Sequence, residues 1–231
     1  MEPDALRRRP LVFVDDLDTP ELHPDDLHHF QRVLRLEPGQ EITLGDGTGR
    51  WCRAEFGAMP IPTGPIASVT APTPTVIVGF VPVKGTRPEW VVQKLTELGV
   101  DEIVPLVSTR SVVRWDQGRQ DRQVQRMAMS ARQACLQCRR PTLPRLGPVL
   151  GLAEFVVAHQ GAVLADPGGR APEAGDRAIA IGPEGGFTAE EATLAPLVAL
   201  PGHVLRAETA ALVAGTVLCG LRSGLVAPPP R

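Results

Sequence analysis

Residues Ala178 to Ile181 form an unbroken run of small apolar side chains that Gly182-Pro183 stops abruptly. A short apolar run punctuated in this way predicts a buried strand of a parallel sheet. Thr188 stands three residues before Glu191 and predicts a helix start, because a hydroxyl and a glutamate at that spacing satisfy each other's backbone donors. Between strand and helix lie Gly182, Pro183, Glu184, Gly185 and Gly186, where missing side chains let a flat ligand rest against the main chain. A second piece, Val204-Leu-Arg-Ala-Glu-Thr-Ala-Ala211, repeats the passage from loop into helix, an arrangement that turns backbone groups toward a ligand. Two such loops suggest one site. Neither contains Gly-x-x-x-x-Gly-Lys-Ser/Thr or Gly-x-Gly-x-x-Gly, which argues against P-loop and dinucleotide readings. For the first piece alone, an ordinary strand-to-helix turn is the alternative.

The flanking chain alternates between strand and helix patterns. Val76 to Val81 and Ile103 to Val107 read as strands, as do Ala162 to Leu164. Thr86 with Glu89 forms a capping box before a helix over Trp90 to Leu98 that Gly99 ends, and Thr209 to Leu221 is a helix of small residues. Such alternation predicts a parallel sheet covered by helices. Toward the N-terminus, Phe13, Val14, Ile42, Leu44, Trp51, Cys52, Ala54 and Phe56 sit in short segments broken by Gly and Pro, which predicts a small β-barrel. The expected domains are therefore 1–72 and 73–231, with the last barrel strand and the linker inside Met59 to Pro74. Gly45-Asp-Gly-Thr-Gly49 has the glycine spacing of a nucleotide loop, but an alternating segment follows it, so it predicts a hairpin turn.

Charge is unevenly spread along the chain. Residues 1–70 carry 7 basic and 12 acidic side chains, residues 71–165 carry 12 and 7, and the remainder 5 and 7. Arg110, Arg114, Arg119, Arg122, Arg126, Arg132, Arg139, Arg140 and Arg145 crowd the basic middle, a candidate phosphate footprint. Val124, Met127, Ala128, Ala131, Ala134, Cys135 and Cys138 recur there at helical spacing, with Arg119, Arg122 and Arg126 on the opposite face. A solvated charged face is the plain alternative. Cys135-Leu-Gln-Cys138 falls on the apolar side, with no second pair and no clustered histidines, so a core role is expected and no metal. Four irregularly spaced cysteines, no long apolar span and an opening segment unlike a signal peptide give the expectation of a cytoplasmic protein without membrane contact.

Four segments together, GPEGGF from Gly182, VLRAETA from Val204, EWVVQKLTELGVDEIVPL from Glu89 and HHFQRVLRL from His28, resemble the RsmE family of ribosomal RNA methyltransferases. The likeness runs in order from about Phe13 to Leu221. It implies an α/β trefoil-knot domain of the SPOUT superfamily preceded by a PUA-like β-barrel. It further implies a homodimer that transfers methyl from S-adenosylmethionine (SAM) to N3 of a uridine in 16S rRNA, with the small ribosomal subunit or its RNA as partner. The resemblance places the cofactor on Gly182 to Gly186, on Leu200, Pro201, Val204, Leu205, Arg206 and Thr209, and at the strand end near Leu164. RNA contacts are implied for Arg32 and Arg35 beside His28 and His29, and for Gln137 and Arg140 in addition to the basic middle. Leu136 and Arg139 depart from the family's pattern, as do Pro201, which lacks an amide donor, and His203, which stands where arginine is usual.

Uridine N3 becomes a nucleophile only when its proton leaves and charge spreads to O2 and O4, so a proton acceptor or a stabilising cation is required. Arg206 stays protonated and suits the cation's role. Glu184, Glu208 and His203 are the acceptor candidates, with capping of the final helix an alternative for Glu208. Two rival readings remain at this level. One is a non-catalytic RNA-binding or ribosome-assembly factor, and the other a knotted methyltransferase acting on a ribose 2′-OH or another base.

Overall fold

The structure is a computed structural model that describes residues 6, 8–82, 88–113 and 115–227, with the side chain of residue 117 also left aside. It divides into two compact units, Met1–Pro72 with Arg132–Leu143, and Thr73–Ala131 with Pro144–Arg231.

In the first unit, β1 (Leu11–Phe13), α1 (Pro24–Arg32), β2 (Glu41–Gly45), β3 (Arg50–Glu55), β4 (Ile61–Pro62) and β5 (Ala67–Ser68) follow one another. The strand order is β1-β2-β3-β4, with β5 also paired to β3. This is an open path; among the described residues no strand pair closes the expected barrel. β2 and β3 make the hairpin read from Asp46-Gly47, with Gly45 opposite Trp51. Its turn is held by the Asp46 carboxylate, which accepts from Thr48 N and Oγ1, each at 2.8 Å, and from Arg50 N at 3.2 Å. Alternate residues Ile42, Leu44, Cys52 and Ala54 point into a core with Phe56 and the α1 residue Phe30. α1 begins at a proline, and His23 caps it by accepting from Asp25 N at 3.3 Å; His28 and His29 are exposed instead. Cys135 is buried against Leu11 and Phe13, and burial pushes its thiol up to about 12, consistent with a packing role.

The second unit is a parallel sheet of β6 (Ile77–Phe80), β7 (Glu102–Val107), β8 (Arg145–Leu146), β9 (Leu150–Gly151), β10 (Val163–Arg170), β11 (Ala178–Ile181) and β12 (Leu197–Val198). Its order is β12-β10-β11-β6-β7-β8, with β9 beside the end of β7. Val78, Phe80, Ile103, Ile179 and Ile181 face one core, shared with α2 (Pro88–Glu97), part of α3 (Gln117–Cys138) and α5 (Ala207–Ser223). Their neighbours Val104, Ala178 and Ala180 face a second core covered by α4 (Leu152–Ala158). Gly79 makes the second layer possible, since a Cβ there would come within 2.9 Å of the Phe155 ring. Gly215 does the same for α5, where a Cβ would meet Leu95 at 2.9 Å.

Several local expectations need correction. Ala128 is exposed, so the buried stripe of α3 is Met127, Ala131, Ala134 and Cys135. The capping box expected at Thr86 lies outside the described residues. The reciprocal bonds between Thr188 and Glu191 do form, at 2.9 and 3.2 Å, yet only a single 3-10 turn, Glu191–Thr193, follows. Pro196 explains the short turn, because the residue before a proline is pushed out of helical geometry and the chain passes directly into β12.

Candidate functional site

A cleft of about 630 Å³ opens within the second unit, where the loop after β11 meets the loop before α5. Gly182 to Gly186 form one wall. Gly182 carries no side chain because its Cβ would come within 3.1 Å of the Phe187 ring, which is buried beneath the loop. Gly186 turns the chain at φ +67°, and its N–H donates to Pro183 O at 2.8 Å. Two longer-range clasps hold this wall. The Arg110 guanidinium donates to Gly185 O at 2.7 Å and Phe187 O at 3.1 Å. The buried Glu191 carboxylate accepts from Thr109 N at 2.7 Å and Thr188 N at 2.9 Å.

The opposite wall comes from Leu200, Gly202, His203, Val204 and Leu205, with Ala207 and Ala210 of α5 as small-residue floor. A third wall is Ala165, Asp166 and Pro167. Ala165 and Arg170 both register with Val198 of β12, so Asp166 to Gly169 bulge out of the ladder and into the site. Gly169 permits this, because any Cβ would sit 2.4 Å from the Leu197–Val198 backbone. Asp166 accepts from Gly168 N at 2.8 Å, and the Arg170–Asp176 pair closes the base of the bulge at 2.7 Å. Asp166, Glu184 and His203 are the titratable groups lining the cleft; the rest is apolar or backbone.

The expected cofactor residues Gly182, Pro183, Glu184, Gly185, Gly186, Leu200, Val204 and Leu205 all line this cleft. Leu164 does not: it is fully buried in the core with Phe155, and the strand-end wall begins one residue later. Pro201, Arg206 and Thr209 also lie off the lining. Arg206 is exposed and occupies the N-cap position of α5 without a side-chain cap bond. Glu208, in the first turn of α5, is not the cap; its Oε2 is buried with no hydrogen-bond partner among the described residues. Sequence reasoning missed Ala165, Asp166, Pro167, Ile181, Phe187, Gly202, Ala207 and Ala210. Asp166-Pro-Gly-Gly169 was the available signal, a turn cluster interrupting an apolar strand.

Of the residues expected to meet RNA, Arg119, Arg122 and Arg126 project from α3 and are exposed. Arg32, Arg35 and Gln137 are also exposed, with Arg35 in left-handed geometry at φ +54°. Arg140 is half-buried and donates to Thr142 Oγ1 at 3.3 Å, while Arg114 lies outside the described residues. Arg110 belongs to the clasp described above. No group of three or more His, Cys, Asp or Glu among the described residues could hold a metal ion, and no described helix is long and apolar enough to cross a membrane.

Residues 70–219 match the family described as the RNA methyltransferase domain, and residues 22–59 match the RNA methyltransferase PUA domain. The ribosomal RNA small subunit methyltransferase E of Mycobacterium tuberculosis is 31% identical over 215 residues, covering 82% of each chain. The protein of that name from Bacillus subtilis is 27% identical, covering 87% of this chain and 90% of its own. Among solved structures, the same enzyme from Neisseria gonorrhoeae bound to SAM superposes with a TM-score of 0.77 at 27% identity, over 93% of this chain and 98% of its own. A SAM complex from Legionella pneumophila gives 0.79 at 29% identity, over 91% and 97%. With a family model spanning most of the chain and a relative above 30% identity, this protein belongs to the RNA methyltransferase family that contains ribosomal RNA small subunit methyltransferase E.

Proposed function

We propose that the chain transfers a methyl group from SAM to N3 of a uridine in small-subunit ribosomal RNA. The observation that carries this reading is the cleft itself: two glycine-bearing loops and a strand bulge converge on a space that suits a nucleoside-sized ligand. Its donor set fits SAM. Apolar Ile181, Leu205 and Ala210 suit adenine, and the glycine wall suits close backbone approach. Asp166 and Glu184 supply negative charge toward a cationic ligand. SAM supplies an electrophilic methyl group when bound. The chain's own residues must then bring uridine N3 in line with it, and orientation of this kind accounts for several kcal/mol of a barrier, roughly 7 to 11 in well-fitted cases.

Arg206 stands between the second loop and α5, where its cation stabilises the charge that spreads over uridine O2 and O4 once the N3 proton leaves. Glu184 and His203 line the cleft, while Glu208, in the first turn of α5, holds a buried oxygen without a hydrogen-bond partner among the described residues; these three are the candidates to receive the proton. Arg119, Arg122 and Arg126 hold the RNA backbone, together with Arg32, Arg35, Gln137 and Arg140. The proposal includes a PUA-like RNA-binding N-terminal domain over 1–72, a knotted domain over 73–231, homodimerisation and a cytoplasmic setting, all supported by the family resemblance.

Calorimetric titration with SAM tests the reading. Saturable one-site binding, abolished by filling the loop with Gly182→Val, is the expected result. Absence of binding would favour a non-catalytic RNA-binding or ribosome-assembly factor.

A further inference from the structure

The glycine wall of the cleft cannot fix its own shape. Gly185 and Gly186 have the widest backbone freedom of any residue, and Gly186 is in a left-handed conformation, so a loop of this composition left alone samples many states. Binding to such a loop is weakened by the ordering it demands, and affinity rises when the order is supplied beforehand. In this chain the order comes from a segment far away in sequence, Thr109-Arg110 at the end of β7. Arg110 reaches across to the carbonyls of Gly185 and Phe187, and its stem packs on Gly185, where a Cβ would lie 3.6 Å from Arg110 Cδ. Beside it, Glu191 accepts from the Thr109 amide and from Thr188, which follows the loop. All three bonds between the segments are donated by Thr109-Arg110, and the loop is gripped at both its glycine turn and its exit.

We infer that Arg110 and Glu191 are positioning residues that hold the Gly182–Phe187 loop in its ligand-ready shape, and that Arg110 acts on cofactor affinity rather than on RNA. The inference rests on the reading of this cleft as the SAM site. It separates Arg110 from the arginines of α3: Arg119, Arg122 and Arg126 project from a helix face into solvent, whereas the Arg110 guanidinium is bonded to two backbone oxygens. Nη1 makes both bonds, so this nitrogen cannot take a phosphate without giving up its loop contacts.

The test compares Arg110→Ala, Arg110→Lys and Glu191→Gln with the wild type in two titrations, SAM by calorimetry and an rRNA fragment by fluorescence anisotropy across a salt series. Arg110→Ala is expected to weaken SAM binding about tenfold, the loss of charge-assisted bonds to a preorganised loop. Arg110→Lys, which keeps the charge but not the rigid planar guanidinium, should fall between it and the wild type. Glu191→Gln should weaken SAM several-fold, and all three should leave the salt slope of RNA binding unchanged. SAM affinity within twofold of wild type in Arg110→Lys and Glu191→Gln, or a shallower RNA salt slope in Arg110→Ala, would overturn the inference. If the alanine variant fails to fold, the lysine and glutamine variants still decide. A wild type that does not bind SAM would overturn the cofactor reading and the clasp with it, whereas a wild type and variants that bind SAM equally well overturn the clasp alone.

Discussion

Glu191 shows how one side chain can serve both fold and site. Burial alone would raise its carboxyl, but hydrogen bonds from the backbone of Thr109 and Thr188 outweigh that effect and hold it below the ordinary value of 4.5. A carboxylate depressed in the folded state contributes stability that is present above its unfolded pKa and lost as pH falls through the folded one. Thermal unfolding measured from pH 7 down to pH 3 should therefore show wild-type stability declining below about pH 4.5, with a smaller decline in Glu191→Gln. Identical profiles would remove Glu191 from the acid response. Arg206 makes a different demand. It lies off the cleft lining, so Arg206→Ala is expected to leave the SAM dissociation constant within about threefold of wild type while lowering kcat by roughly 100-fold or more, as removal of a single charge-stabilising group does. Equal loss of binding and turnover would assign it a structural role. The glycines of the first wall were readable from sequence because a missing side chain is a local fact. Asp166 was not, since its entry into the site depends on the register of β10 against β12, which only the assembled sheet fixes.

At the scale of elements, the bulge of β10 is the feature most sensitive to one atom. A Cβ at residue 169 would meet backbone at 2.4 Å, and backbone cannot swing aside as a flexible side chain can. Gly169→Ala should cost about 1 to 3 kcal/mol in denaturant unfolding and reduce SAM affinity, because the Asp166–Pro167 wall must shift. Stability and affinity both at wild-type level would show that the ladder adjusts freely. α3 offers a test of the RNA face. Replacing Arg119, Arg122 and Arg126 together with alanine should weaken RNA binding and flatten its log–log salt dependence by about two units, from some 0.7 per lost phosphate contact on single-stranded RNA. An unchanged slope would take that face out of the footprint. β6, β7 and β11 were legible because continuous apolar runs bounded by Gly and Pro leave few alternatives. α4 was not, being a single seven-residue segment too short to display a helical period. The helix expected after Thr188 stopped at one turn although its capping bonds form, because Pro196 redirected the chain into β12.

For the whole molecule, periodicity yields a parallel sheet and says nothing of whether the chain threads through itself, since a knot is a property of the complete path and leaves no local trace. The same limit applies to the N-terminal unit, where strand patterns were readable but their open order was not. The site is made by convergence: the bulge of β10, the loop after β11 and the loop before α5 meet at one cleft. What that cleft does to RNA is decided most directly by identifying the product. Incubation of the purified protein with SAM and small subunits or 16S rRNA, digestion to nucleosides and mass spectrometry should yield 3-methyluridine. That product should be absent without enzyme and strongly reduced by Arg206→Ala. Methyl groups found on ribose or on another base, or no methylated nucleoside while SAM binding is intact, would contradict the account.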